Sequence, residues 1–160
     1  MSGLLFLTSD DFKVIKNDKG NMLCNEISGI SLILFYSTQC VYCQKLIYPF
    51  KKLPGTIAGC QFGMINVSTN KKCVIMSNDT ISPIEFVPTM ILFTDGIPYM
   101  RYNGPHDVNE IRRFVMEIAN KIRSKQKFTS ENIKESKKSI PVYYGKDSLK
   151  NPEVCYLRNF

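Results

Sequence analysis

Residues 30–43 constrain this chain more than any other segment. Ile30-Ser31-Leu32-Ile33-Leu34-Phe35-Tyr36 is apolar apart from one serine, the mark of a strand covered on both faces. A strand of that kind belongs to an α/β sheet. Ser37-Thr38-Gln39 then makes a short turn, and after Cys40 the apolar period becomes helical. Cys43, Leu46, Ile47, Phe50 and Leu53 fall at i, i+3, i+4, i+7 and i+10, one helix face. Pro49 kinks this helix rather than forbidding it, and Pro54-Gly55 ends it. Cys40 therefore caps a helix that leaves a buried strand.

The rest of the chain supplies neighbours for that strand. Leu4–Leu7 reads as a short strand, followed by N-cap chemistry at Thr8-Ser9-Asp10-Asp11 and a brief helix over Phe12–Lys16. Asn17–Asn21 is a turn, Phe62–Val67 a strand and Lys71–Ser77 a short helix. Phe86-Val87-Pro88-Thr89-Met90-Ile91-Leu92-Phe93 is a strand that opens with a proline. Asp95-Gly96 turns it into a hairpin with Tyr99–Tyr102. Asp107 and Glu110 form a capping-box pattern before a last helix that carries Val108, Ile111, Val115, Ile118 and Ile122 on one face. The resulting order, β-α-β-α-β-α-β-β-α, has no internal repeat.

At 160 residues, with 44% hydrophobic and 22% charged side chains, the chain suits one domain with a short appendage. The balance excludes a wholly disordered protein, a collagen-like repeat and a coiled-coil rod. No apolar run approaches the roughly 20 residues that cross a bilayer. The start lacks the basic and apolar regions of a secretory signal, so the expected location is cytoplasmic rather than secreted. Residues 1–120 carry 11 Lys/Arg against 10 Asp/Glu, whereas residues 121–160 carry 10 against 4. The surplus of +7 is thus a property of the end, where an anionic partner could bind. Lys121–Ser139 reads as a solvated linker. Ile140–Tyr144 and Val154–Leu157 are too apolar for water, so the tail is expected to dock on this chain or on a partner. The organisation expected is a domain over 1–123 and a basic linker with an aromatic tail over 124–160.

Six cysteines stand at 24, 40, 43, 60, 73 and 155, and only Cys40 and Cys43 are closely spaced. The unpaired N–H groups and partial positive charge of a helix N-terminus stabilise a thiolate at Cys40. Cys43, nearly one turn on, is within reach of the first sulfur. Such a pair can attack a disulfide through Cys40 and release the mixed disulfide through Cys43. A structural zinc site is the rival reading, but it needs a second close ligand pair. Cys60 and Cys73 are isolated, and the one histidine, His106, has no ligand near it in sequence. Cys24, Cys60, Cys73 and Cys155 read as free thiols, buried or half-buried, with Cys155 the best candidate for a regulatory or dimer-forming role. His106 reads as a turn residue rather than a base. Tyr143, Tyr144 and Tyr156 suit docking on the protein's own surface better than stacking on nucleotide bases.

Phe35-Tyr36-Ser37-Thr38-Gln39-Cys40-Val41-Tyr42-Cys43, with Phe86-Val87-Pro88-Thr89 and the Asp95-Gly96 hairpin, resembles the thioredoxin superfamily over residues 4–123. The resemblance implies a thioredoxin fold: a central mixed sheet of about five strands, flanked by helices on both faces. It also implies a cis bond between Val87 and Pro88 beside the redox pair. The Val87 backbone would pair with an extended substrate segment, and Val41 and Tyr42 would line the same contact. Ile140–Gly145 and Val154–Leu157 resemble the tails of thioredoxin-like proteins from large DNA viruses, which implies a virion or virus-factory location. Two departures stand out. Leu34 occupies the place of the family's buried acid, and Met64 replaces the lysine that often accompanies it.

The function expected is therefore thiol–disulfide oxidoreduction on protein disulfides or dithiols, with Cys40 as nucleophile and Cys43 as resolving thiol. No metal or organic cofactor is needed. A recycling reductase or oxidase would complete the cycle, and no membrane span is involved. The alternative is a non-catalytic thioredoxin-like module whose basic tail engages a protein or nucleic acid. A glutaredoxin-like protein using glutathione is a third reading, opposed by the long segment before Cys40 and by the Val-Pro-Thr strand.

Overall fold

The computed structural model describes residues 3–124, 133–136, 139–144 and 153–157. Its centre is the strand β4 (Ile30–Tyr36), in which Leu32, Ile33, Leu34 and Phe35 have no exposed surface. β4 pairs in parallel with β5 (Cys60–Asn66) and antiparallel with β7 (Thr89–Thr94). β1 (Leu4–Leu7) extends the sheet beyond β5, and β8 (Ile97–Tyr102) extends it beyond β7. Beyond β8 the tail adds β10 (Ser139–Tyr143) and β9 (Ile133–Ser136), completing a seven-stranded mixed sheet in the order β1-β5-β4-β7-β8-β10-β9. The five-stranded core thus gains one strand from the stretch expected to dock, β10, and one from within the expected linker, β9.

Strand alternation divides the core into two. Leu32, Leu34, Phe62, Met64, Leu92 and Met100 meet α1 (Val41–Phe50) and α3 (Val108–Ser124) through Leu46, Phe50, Ile111, Phe114, Val115 and Ile118. Ile33, Phe35, Ile65, Ile91 and Phe93 meet Phe12, Leu23, the start of α1, and Cys73 and Val74 of α2 (Lys71–Ser77). The Asp107 carboxylate accepts the Glu110 N–H at 3.1 Å and caps α3.

The structure corrects three readings. The helix expected over Phe12–Lys16 is a three-residue 3₁₀ turn (Ser9–Asp11) followed by β2 (Lys13–Asn17). β2 forms a hairpin with β3 (Gly20–Cys24), closed at Gly20 with φ +120°, a backbone conformation that favours glycine. An antiparallel partner beyond a two-residue turn and the β-branched Val14-Ile15 pair outweigh five residues of helical pattern. The first helix ends at Phe50 rather than near Leu53, although Leu53 is still fully buried. The expected linker over Lys121–Ser139 is shorter, since α3 runs to Ser124 and Ile133–Ser136 is a strand.

Tyr143 is the anchor of the tail. It is 4% exposed, stacks on Tyr102 at 6.1 Å between ring centroids and touches Phe114 at 4.9 Å. Its backbone carbonyl accepts the Asn103 N–H at 2.7 Å. A Tyr143→Ala variant is expected to lose about 3–5 kcal/mol, as for other large buried aromatics truncated to alanine. Urea unfolding of the full chain measures this, and a loss below about 1 kcal/mol would show that the tail strand is not part of the core.

Candidate active site

The site lies where β4 hands the chain to α1. Cys40 is the N-cap of α1, with extended dihedrals of φ −98° and ψ 121°, and its carbonyl accepts the Gln44 N–H at 3.0 Å. Gln44 Nε2 donates to the Thr38 carbonyl at 2.7 Å, and the Gln39 N–H donates to Ser37 Oγ at 3.2 Å, so the Ser37–Gln39 turn is held from both sides. The Ser37 and Ser68 hydroxyls share a hydrogen bond that ties the turn to the end of β5. Cys43, in the first turn of α1, is fully buried, and its Sγ accepts the Ser37 N–H at 3.5 Å.

Facing this turn is the break between β6 (Phe86–Val87) and β7. The Val87–Pro88 peptide bond is cis, and Thr89 Oγ1 donates to the Phe86 carbonyl at 2.6 Å. Val87 and Pro88 are buried, and the Val87 carbonyl oxygen lies 3.7 Å from Cys40 Sγ. Val41, at 51% exposed, and the half-buried Tyr42 open α1 directly after Cys40, and Tyr42 packs on the cluster that holds Cys40 and Cys43. All six residues singled out from the sequence thus gather around one turn and one strand break.

A seventh residue was not foreseen there. Cys155 is bonded to Cys40 in a disulfide with a Cα–Cα distance of 6.1 Å, spanning 115 residues of sequence. This corrects the reading of Cys155 as a free thiol, and it leaves Cys40 and Cys43 unbonded to each other. The physical reason is strand pairing. β11 (Cys155–Tyr156) runs antiparallel to β6, with Cys155 opposite Val87 and Tyr156 opposite Phe86. That register brings the Cys155 sulfur to Cys40. The signal in the sequence was Val154-Cys155-Tyr156-Leu157 itself, a cysteine within an apolar segment after a polar linker. Cys24, Cys60 and Cys73 are free and buried.

Burial controls the chemistry of the remaining thiol. It pushes Cys43 up to about 11, and the Ser37 N–H offsets this only in part. Tyr36 is raised by its own burial first and by a charge on Cys43 second. Leu34 and Met64 are opposite one another in the β4–β5 register and fully or nearly fully buried. They lie in the cluster with Leu46 and Phe50, so the position of the family's acid is filled by hydrocarbon. His106 sits on the bend before α3, where burial lowers its pKa and the Glu153 carboxylate opposes that shift. Among the described residues, no group of three His, Cys, Asp or Glu side chains is placed to hold a metal, and no helix is long and apolar enough to cross a membrane.

Comparison with known proteins agrees with this fold. The family model described as thioredoxin matches residues 11–117. The chain belongs to the thioredoxin family. It is 36% identical over 126 residues to the uncharacterized protein 196R of Invertebrate iridescent virus 6, covering 74% of this chain and 72% of that one. It is 27% identical to the uncharacterized protein 020R of Invertebrate iridescent virus 3, covering 97% of this chain and 93% of that one. In fold it is similar to a mutant thioredoxin from Halobacterium salinarum NRC-1, with a TM-score of 0.54, 18% identity and coverage of 73% and 93%. It is also similar to human ERp44, with a TM-score of 0.52 and 18% identity; the match covers 57% of this chain and 28% of ERp44.

The elevated Cys43 pKa has a consequence for stability. A thiol titrates near 8.5 in an unfolded chain, so the folded protein resists ionising Cys43 between that pH and about 11. A folded-state pKa raised above the unfolded value contributes stability that is complete below pH ~8.5 and is lost as pH rises towards about 11. Urea unfolding across pH 8–10.5 should therefore show a steeper decline for the native chain than for Cys43→Ala, by about 1.4 kcal/mol per pH unit. Parallel slopes would show that Cys43 ionises freely in the folded protein.

Proposed function

We propose that this protein is a thiol–disulfide oxidoreductase acting on protein disulfides or dithiols, with Cys40 as nucleophile and Cys43 as resolving thiol. One observation carries the reading. A cysteine-bearing extended segment is bonded to Cys40 and hydrogen-bonded along Phe86–Val87, which is the arrangement a mixed disulfide with a peptide substrate requires. Val41 and Tyr42 would border such a substrate, and Val87 and Pro88 would orient its backbone.

The chemistry follows from position. The α1 N-terminus stabilises negative charge on Cys40. The Cys40 thiolate attacks one sulfur of the substrate disulfide and expels the other as a thiolate. Cys43 then attacks Cys40 Sγ, releasing the reduced substrate and leaving a Cys40–Cys43 disulfide for a recycling reductase; the reverse sequence, with an oxidase, oxidises a dithiol. Raising a thiol by about two pH units removes about a hundredfold of its thiolate at neutral pH and returns about tenfold in nucleophilicity. The second step is then about tenfold slower than with an ordinary thiol. With Leu34 in place of an acid, the Cys43 proton must leave through water or the departing substrate thiolate. Slow resolution suits a protein that holds a dedicated substrate better than a general reductant. The iridescent-virus relatives support a viral setting; in the host cytoplasm or the virion, the proposed chemistry would serve virion redox balance.

The hydrocarbon at Leu34 also supports a second reading, a non-catalytic thioredoxin-like module whose basic tail engages an anionic protein or nucleic acid. Substitution of the two thiols separates them. Cys40→Ser should reduce disulfide exchange to the uncatalysed rate. Cys43→Ser combined with Cys155→Ser, so that the tail thiol cannot take over resolution at Cys40, should accumulate mixed disulfides with the substrate, visible as reductant-sensitive bands on non-reducing gels. An unchanged exchange rate in either variant would overturn the oxidoreductase reading in favour of the binding module.

A further inference from the structure

We infer that Cys155 is a third redox cysteine and that Val154–Leu157 is a substrate segment carried by the chain itself, which closes the site until Cys43 displaces it. The inference rests on the proposed roles of Cys40 and Cys43 and names the class of substrate they serve.

Three consecutive residues of the tail segment, Cys155, Tyr156 and Leu157, are fitted to the site. Cys155 pairs with Val87 and is bonded to Cys40. Tyr156 pairs with Phe86, and its ring meets the Phe86 ring edge-on at 5.7 Å. The Arg101 guanidinium lies 6.0 Å from the centroid of the same Phe86 ring and donates to the Pro83 carbonyl at 2.9 Å, which fixes this platform. The Leu157 N–H donates to the Glu85 carbonyl at 2.9 Å, and Leu157 packs on the cluster that holds Cys40, Cys43, Val87 and Ile84. Tyr156 remains 58% exposed, so its contact with Phe86 is not needed to fill the core. Recognition by backbone pairing, with pockets for particular side chains, is how a peptide adds to a strand edge. The recognised class is an extended segment with an aromatic residue directly after its cysteine and an aliphatic residue after that.

Opening needs no outside oxidant or reductant. The Cys43 thiolate attacks Cys40 Sγ, the Cys40–Cys43 bond forms, and the Cys40–Cys155 bond breaks. Cys155 Sγ leaves with the electron pair and takes up a proton, replacing the one Cys43 lost to solvent. One disulfide is exchanged for another, and the Phe86–Val87 edge is freed for a substrate. The reverse step, attack of the Cys155 thiolate on Cys40, closes the site again. A tethered segment acts at an effective concentration on the order of millimolar, so it competes strongly with substrate at micromolar levels.

The test uses the full chain, with a peptide disulfide built on Val-Cys-Tyr-Leu as probe and dithiothreitol as terminal reductant. Cys155→Ser should reduce the probe at least about tenfold faster than the native chain, as expected when a thiol held at millimolar effective concentration no longer competes for Cys40. Tyr156→Asp, which changes an exposed side chain and keeps the thiol, should show a smaller gain in the same direction. Replacing the probe's tyrosine with aspartate should slow its reduction by all three proteins. Alkylation and peptide mass mapping of the mildly oxidised native chain should find both Cys40–Cys155 and Cys40–Cys43, and Cys43→Ser should hold only the former. Equal probe reduction by native chain and Cys155→Ser, both above the uncatalysed rate, would overturn the inference and leave the oxidoreductase intact. A Cys155 disulfide found only between two chains would also overturn it. Uncatalysed rates in both proteins would overturn the oxidoreductase reading itself.

Discussion

The structure depends on the double burial of β4. Four consecutive residues of this strand, Leu32 to Phe35, have no solvent contact, so both faces must be covered and both edges paired. The register with β7 then determines the site. Phe35 lies opposite Thr89, so the antiparallel ladder runs the residues after Phe35 beside those before Thr89. The turn carrying Cys40 is thereby brought to Val87 and Pro88. A slip of one residue would turn every side chain of the strand to the other face, separate the cysteine from the strand break and exchange the two cores. Apolar packing and the reactive site are set by one register.

That register leaves the backbone of Phe86–Val87 without a partner in the main sheet, and an exposed strand edge invites another strand. The tail meets this need in two places. At β10 it extends the sheet beside β8 and packs Tyr143 against the touching rings of Tyr102 and Phe114. At β11 it pairs with β6 and joins Cys155 to Cys40. The first contact is structural, because Tyr143 is buried. The second leaves Tyr156 largely exposed and covers the Phe86–Val87 strand edge. Among the described tail residues, Ile140, Tyr143, Cys155 and Leu157 pack on the two cores of the domain.

Much of the fold is legible in single residues. The unbroken run at Ile30–Tyr36, the helical spacing after Cys40 and the Asp107 cap each report a local preference, and each element forms where those preferences agree. The failures occur where a non-local partner decides. Phe12–Lys16 has enough apolar spacing for one helical turn, but Gly20–Cys24 offers a strand and Phe12 finds Phe35 and Phe93 at 5.7 and 6.4 Å. Packing across the sheet outweighs a short helical pattern, since a single isolated turn has little stability of its own.

The same division holds for the cysteines. The sequence by itself determined that Cys40 and Cys43 share one end of a helix, because three residues of helical rise leave no other arrangement. It also determined that the position at which the resemblance implies a buried acid holds Leu34, a core residue of the strand. Only the tertiary structure decided that Cys40 is bonded to Cys155, 115 residues away. No local rule links those positions. Their meeting requires β4, β7 and β6 to be in register and the tail to return along the Phe86–Val87 edge, and that is a property of the assembled sheet.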